Sequence, residues 1–423
     1  MKDQQIEIKK GIKLHTIHTD KFKTNLIAVF LTTKITRENV TKNAVISALL
    51  RRGSKTMPSQ EEISKQMEEM YGASFDCGLD KTGDNQVLKF YLDTVNDNFL
   101  PEKGENMLET SFEKLLEIVF DPYIENGGFK PEYVEQEKNN IKQRIEGKID
   151  NKARYSMDRC IEEMYKEEPF GLYKFGLIED LENLNAKNLY EYYKQLIDTC
   201  KIDIFVSGMI SENSKQVIKN NPRLEKLKER KPDYIVPKEL NKELPQKENI
   251  VTESMEVTQG KLIVGLNVCL DKEELRYHVQ IYNSILGGSA NSKMFQNVRE
   301  KAHLAYVASS SYLRYKNNIF INCGIEIGNY EKALELIKKQ IEDMKQGDFT
   351  EEDIENAKKG IIAAIQTIED EQDTEITYYF GQELSRTKVS KEEYKQKIQN
   401  VRKEDVVQVA KNVAIHTIYF LKD

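Results

Sequence analysis

Residues 220–249, NNPRLEKLKERKPDYIVPKELNKELPQKEN, hold four of the nine prolines of this chain (Pro222, Pro232, Pro237 and Pro245) and are dense in charge. Proline fixes φ and removes a backbone donor, so this stretch is expected to be a linker that crosses a surface. It divides the 423 residues into segments 1–219 and 250–423. The two segments read alike. The first opens with strands over 6–17 and 26–33, then helices over 38–51 and 60–71, and strands over 74–79 and 86–92. Helices over 105–119, 131–147, 152–166 and 186–197 follow, and a strand over 201–208 ends it. The second runs through strands 250–257 and 261–270, helices 272–286 and 292–301, and strands 304–313 and 318–327. Helices 330–345, 351–368, 371–385 and 403–413 then lead to a last strand, 414–421. Two local matches support a duplication. LNAKNLYEYYKQL (184–196) aligns its apolar positions with VRKEDVVQVAKNV (401–413), and each precedes an apolar strand. The passage 64–75 echoes 296–307 in the same way. Strands and helices in mixed order, without strict alternation, predict two α+β domains.

Composition excludes several classes of protein. Lys and Arg number 63 against 70 Asp and Glu, a formal charge of −7, and no basic stripe with interleaved aromatics stands out, so no nucleic-acid partner is expected. The basic run 51–55, RRGSK, reads as a solvated helix end. The longest apolar runs, 26–31 and 262–270, fall far short of the ~18 residues that a membrane span needs and read as strands. The N-terminal MKDQQIEIKKG shows no apolar signal region, so a cytoplasmic location and no membrane partner are expected. The five cysteines (Cys77, Cys160, Cys200, Cys269 and Cys323) are widely spaced and odd in number, and read as reduced, mostly buried thiols.

Candidate chemistry is sparse. His15 and His18 form H-x-x-H, but inside an expected strand, where residues three apart face opposite ways and cannot share an ion. No H-E-x-x-H occurs. The glycine pair in LGGSANSKMF (286–295) follows no strand and lacks a phosphate-loop pattern, so it reads as a helix stop followed by an Asn/Ser cap. The sharpest feature is VREKAHLAYVASSSY (298–312), with Arg299 near a helix end and Tyr306 entering a strand. Arg supplies a planar fork of donors, and Tyr a hydroxyl able to bond a developing oxyanion. The same pair also fits a helix-end Arg on last-turn carbonyls and a strand Tyr packed by its ring.

LGGSANSKMFQNVREKAHLAY resembles the C-terminal motif of the insulinase or pitrilysin-type (M16) peptidases, in their short two-domain branch: a glycine-rich turn, S-x-x-F, then R-x-x-x-G-L-x-Y, with His303 in place of the last glycine. The resemblance spans essentially the whole chain, and LRRGS (50–54) resembles the stretch just after the family's inverted zinc motif, H-x-x-E-H. Counting back places that motif on Ala44, Val45, Ile46, Ser47 and Ala48, so both imidazoles and the catalytic carboxylate are missing. The family's further zinc glutamate, counted from Glu137-Lys138, falls on Arg144, with Glu146 the outcome of a small slip. The resemblance implies an α+β fold of two homologous domains, each a mainly antiparallel sheet flanked by helices, arranged as a clamshell: 1–219 without the zinc motif, the linker 220–249, and 250–423 carrying Arg299 and Tyr306. It implies a chain inactive alone and without a cofactor, catalytic zinc belonging to a paralogous zinc-bearing M16 subunit. Arg299 and Tyr306 would then bind the peptide or small-protein substrate in the partner's site, with edge-strand pairing to an extended substrate. The reading leaves open a homodimer of the isolated chain. The alternative is a non-catalytic peptide-binding scaffold or chaperone-like protein with no peptidase partner.

Overall fold

A computed structural model of the chain describes residues 3–100, 106–238, 240 and 243–423. The helix expected over 105–119 and the linker expected over 220–249 thus fall partly outside the described residues. Thirteen strands occur among them: β1 Asp3–Lys9, β2 Ile12–His18, β3 Thr24–Lys34, β4 Ser74–Thr82, β5 Asn85–Val95, β6 Ile124–Glu125, β7 Gly128–Phe129, β8 Lys201–Gly208, β9 Asn249–Ser254, β10 Gly260–Val268, β11 Ala305–Leu313, β12 Asn318–Ile325 and β13 Val413–Lys422. The single run expected over 6–17 is a hairpin of β1 and β2, turned at Gly11 with φ +83°.

Two sheets carry the fold. The first has the order β1-β2-β8-β3-β5-β4, and the second β11-β12-β10-β13-β9. Reading the first backwards, β4-β5-β3-β8-β2 matches the second strand for strand. Each sheet is antiparallel except for one parallel pair, β2 with β8 and β9 with β13. The duplication expected from the sequence is therefore present in the topology, with β1 an addition to the first copy.

The inner strands β3, β8, β10 and β12 are buried on both faces, which explains why they read as continuous apolar runs. In β3, Ile27, Val29 and Leu31 enter the main core under the helices Val40–Leu50, Met107–Phe120 and Ala186–Thr199. Leu26, Ala28 and Phe30 enter a separate core on the opposite face. In β10, Leu262, Val264 and Leu266 take one face and Ile263 the other.

What covers the second faces departs from the contiguous division expected from the sequence. By its contacts the chain forms one unit from residues 1–146, 172–236 and 369–386, and another from 147–171, 237–368 and 387–423. In the first unit, the helix Gln372–Ser385 lays Ile376, Tyr379, Phe380 and Leu384 on Phe30, Val87 and Phe205. In the second, the helix Lys152–Met164 lays Cys160 and Met164 on Ile263, Phe320 and Tyr419. Gly265 of β10 makes room, since a Cβ there would lie 3.1 Å from Met164 Sδ. Equivalent helices have thus exchanged sheets, and the unit boundaries cut through both sequence segments.

The first part of the expected linker is bound structure. Pro222–Lys226 is a short helix capped by the side chain of Asn221, and Leu224 and Leu227 are buried in the first unit's main core. Beyond it, Asp233 N donates to Thr199 O and Asp233 O accepts from Lys34 N, both at 3.0 Å, while Ile235 N donates to Asn85 Oδ1 at 2.8 Å.

Candidate functional site

The positions of the degenerate metal motif lie on the helix Val40–Leu50. That helix is buried on nearly every side, with Thr41, Asn43 and Ser47 buried alongside its apolar residues. Ala44, 2% exposed, is part of the main core. Ser47 is also buried, and its Oγ donates to Gly78 O of β4 at 3.4 Å. Ala48, one turn on from Ala44, reaches the surface and lines a cleft of about 360 Å3 with Arg51, Arg52, Glu137, Asn140 and Arg144. The helix Pro131–Glu146 supplies the last three. The structure therefore brings Ala48 and Arg144 to one cleft and turns Ala44 and Ser47 away into the protein.

The cleft does not fit a zinc ion. Zinc needs Cys, His or carboxylate donors. Ala44 and Ala48 offer none, and Arg144 is a cation whose guanidinium lies 5.5 Å from the Phe175 ring. The one carboxylate at the centre, Glu137, is ion-paired to Arg52 Nε and accepts from Asn140 Nδ2 at 3.2 Å. No cluster of three or more His, Cys, Asp or Glu able to hold a metal occurs among the described residues. The two strand histidines part as expected: His15 is buried with Nε2 3.3 Å from Asp203 Oδ1, whereas His18 is exposed.

The Arg/Tyr motif belongs to the second unit. The segment 284–288 and the helix Met294–Lys301 are both wound as wide π turns, which occur often at functional sites. Gly287 is needed for close approach, because a Cβ there would fall 2.5 Å from Ser310 N of β11. Between the glycines and the helix, Ser292 caps by accepting from Phe295 N at 3.4 Å, the helix-stop-and-cap arrangement expected for this stretch. Arg299 stacks its guanidinium 4.5 Å from the Phe295 ring, one turn back. The motif's S-x-x-F phenylalanine is thus the support of its arginine, a role the i, i+4 spacing could have revealed.

The helix ends through a left-handed residue. Leu304 N donates to Val298 O at 3.1 Å, six positions back and one more than in a Schellman closure, and His303 takes φ +52°. The chain then enters β11, an edge strand paired, among the described residues, with β12 alone. Ala305 pairs with Ile325 and Val307 with Gly324, so Tyr306 is the extra residue of a β-bulge. The bulge breaks the alternation of faces and leaves Tyr306 62% and Val307 49% exposed in succession. Arg299 and Tyr306 are thus presented outward from a helix and an edge strand that pack on each other. Sequence periodicity gives no warning of the bulge. No helix among the described residues is long and apolar enough to cross a membrane.

Two copies of one α+β plan, one with a donor-free metal position and the other with an outward Arg and Tyr, define a relative of two-domain peptidases. Comparison with known proteins makes the family specific. The family profile described as Peptidase M16 inactive domain matches residues 183–361. The "Probable inactive metalloprotease YmfF" of Bacillus subtilis (strain 168) is 34% identical over 413 residues, covering 97% of this chain and 96% of that protein. The "Uncharacterized zinc protease YmxG" of the same organism is 23% identical over 251 residues, 58% of each chain. The crystal structure of a conserved protein from Enterococcus faecalis V583 superposes with a TM-score of 0.90 at 28% identity, covering 100% of this chain and 99% of that one. The chain belongs to the M16 peptidase family, as a homologue of its inactive metalloproteases.

Proposed function

We propose that this chain is the zinc-less, substrate-binding subunit of a heteromeric M16-type metalloprotease. In this reading it supplies Arg299 and Tyr306 to a paralogous partner that carries the zinc and its base. The observation that carries the proposal is an asymmetry of loss. The metal-motif positions hold Ala44, Ser47, Ala48 and Arg144, two of them sunk in the protein, whereas Tyr306 stays 62% exposed on a bulged edge strand beside a ring-supported Arg299. A mere relic has no need of an outward Tyr, since burial of its ring would stabilise the fold more. Support for a division of labour comes from Bacillus subtilis, where relatives of this chain carry both an inactive and a zinc-protease name. Arg299 would bind a substrate carbonyl or carboxylate, and the Tyr306 hydroxyl would donate to the oxyanion that develops as a peptide is cleaved.

The test begins by tagging the chain in its native host and identifying what purifies with it. A zinc-bearing M16 paralogue is the expected partner. Peptide cleavage is then assayed with the reconstituted pair. Tyr306→Phe should lower the rate by ~10²–10³, as loss of one oxyanion donor does elsewhere, with the melting temperature unchanged. Arg299→Ala should also weaken peptide binding. Wild-type activity in both variants, or purification with no peptidase, would favour the scaffold reading and a cytoplasmic chaperone-like role instead.

A further inference from the structure

The cleft at the lost metal position is cationic. Arg51, Arg52 and Arg144 face one carboxylate there, and that carboxylate, Glu137, is already paired with Arg52. Arg51 and Arg144 make no ion pair among the described residues. Arg51 also walls a second groove of about 340 Å3, whose floor is Ser74, Phe75, Asp76 and Cys77 at the start of β4. The Cys77 thiol sits between the two spaces: burial pushes its pKa up, while Arg51 and Arg144 both pull it down and Asp76 and Glu137 oppose them. Among the described residues β4 is the outermost strand of its sheet, bonded to β5 alone. Its far half is covered, since Lys174 Nζ donates to Leu79 O at 2.9 Å and Lys81 Nζ to Leu172 O at 3.0 Å. The near half, Ser74–Cys77, borders the groove. Acidic groups on that side, Glu68 and Asp76, lie in the groove and not in the arginine cleft.

We infer that the abandoned metal position has become a carboxylate pocket, in which Arg51 and Arg144 receive the carboxylate of a peptide lying extended along Ser74–Cys77. Two guanidiniums that line one cleft without an ion pair of their own favour a planar, bidentate anion. Ala48 is part of the same design, because a small side chain leaves the cleft floor free where the family's pattern has an imidazole. The inference rests on the peptide-binding reading above and names its substrate class, acidic peptides, but needs neither Arg299, Tyr306 nor a partner subunit.

The purified chain alone serves for the test, by titration calorimetry at low and moderate salt. The probes are N-acetylated, C-terminally amidated octapeptides of Ser, Thr and Val with one central Glu, the same with Gln, and the Gln peptide with a free C-terminus. The Glu peptide should bind at least tenfold more tightly than the amidated Gln peptide, and salt should narrow the gap. Arg51→Gln with Arg144→Gln should abolish the preference, with a melting curve like that of the wild type. Arg144→Glu provides a second variant if the pair proves unstable, and should invert the preference. A free-C-terminus peptide as tight as the Glu peptide would support the pocket and assign it to terminal carboxylates. Equal binding of all three peptides would overturn the pocket while leaving peptide binding intact. A preference that survives both variants, or no binding of any probe at millimolar concentration, would overturn it as well.

Discussion

At residue scale, His303 shows how a family pattern and a backbone angle explain one another. The position where the M16 motif has glycine is the left-handed residue that closes the helix Met294–Lys301, at φ +52°. A non-glycine residue pays roughly 1–2 kcal/mol for that conformation, and glycine returns part of this through unfolded-state entropy. His303→Gly should therefore raise the urea midpoint by the equivalent of about 0.5–1 kcal/mol, with no change in slope. A fall would mean that the imidazole makes a contact worth more than the strain. The missing metal donors were legible through the family resemblance, which places the inverted motif on Ala44, Ser47 and Ala48, none of them a Cys, His or carboxylate. Elemental analysis of the purified, dialysed chain should accordingly find well under one zinc per chain; one tightly held zinc would place the site elsewhere. The arginine pocket was not legible, because Arg51 and Arg144 lie 93 residues apart and only packing brings them together.

At the scale of elements, nearly every strand and long helix was visible in its periodicity, while the device that holds one helix in place was not. Lys201 and Asp203 of β8 and Lys13 of β2 sit beneath the helix Gln372–Ser385, which contributes Glu383. Lys13 Nζ lies 2.7 Å and Lys201 Nζ 3.1 Å from Glu383 Oε1, and Lys201 also pairs with Asp203. Burial alone would raise the pKa of Asp203, yet Lys201 and His15 outweigh it and hold the value at about 2. Glu383 is likewise depressed against its burial by Lys201 and Lys13. Lys201 is raised, since the two carboxylates overcome the cost of its own desolvation. Depressed carboxylates stabilise the fold above their ordinary range near ~4, and that stability drains away as pH falls towards 2. Lys201→Met leaves buried carboxylates short of a cation and should cost roughly 3–5 kcal/mol at pH 7. Urea midpoints at pH 7 and pH 3 would show the wild type losing more than the variant on acidification. Equal losses would mean that the network carries no acid-linked stability. In sequence, these residues are a single Lys-x-Asp in an apolar strand and one Glu among many, a pattern that carries no signal of its own.

At the scale of the whole molecule, duplication was readable and exchange was not. The two copies share strand order because each repeats the same alternation of elements. The helices Lys152–Met164 and Gln372–Ser385 carry the same amphipathic period as their neighbours, and periodicity says that a face is buried without saying against which sheet. The consequence is that neither sequence segment contains a complete unit. A fragment of residues 1–236 keeps all six strands of the first sheet but lacks residues 369–386. Its sheet would expose Ile17, Leu26, Ala28, Phe30, Val87 and Phe205, each under 9% exposed in the full chain. Covering a large apolar side chain contributes about 1.5–3 kcal/mol, and Ile376, Tyr379, Phe380 and Leu384 cover this face. Their loss is thus on the order of 10 kcal/mol, comparable to the whole stability of an ordinary domain. The fragment should accordingly bind a hydrophobic dye, melt without a sharp transition and associate. Adding a synthetic peptide of residues 369–386 should suppress dye binding and restore a cooperative melt, whereas a peptide of the same composition in scrambled order should not. Glu383→Ala in the peptide should weaken the rescue, because it removes the charge that seats the helix over Lys201. A monomeric fragment with a sharp transition and no dye binding would show that the first sheet needs no helix from the distant segment, and that the exchange adds nothing to its stability.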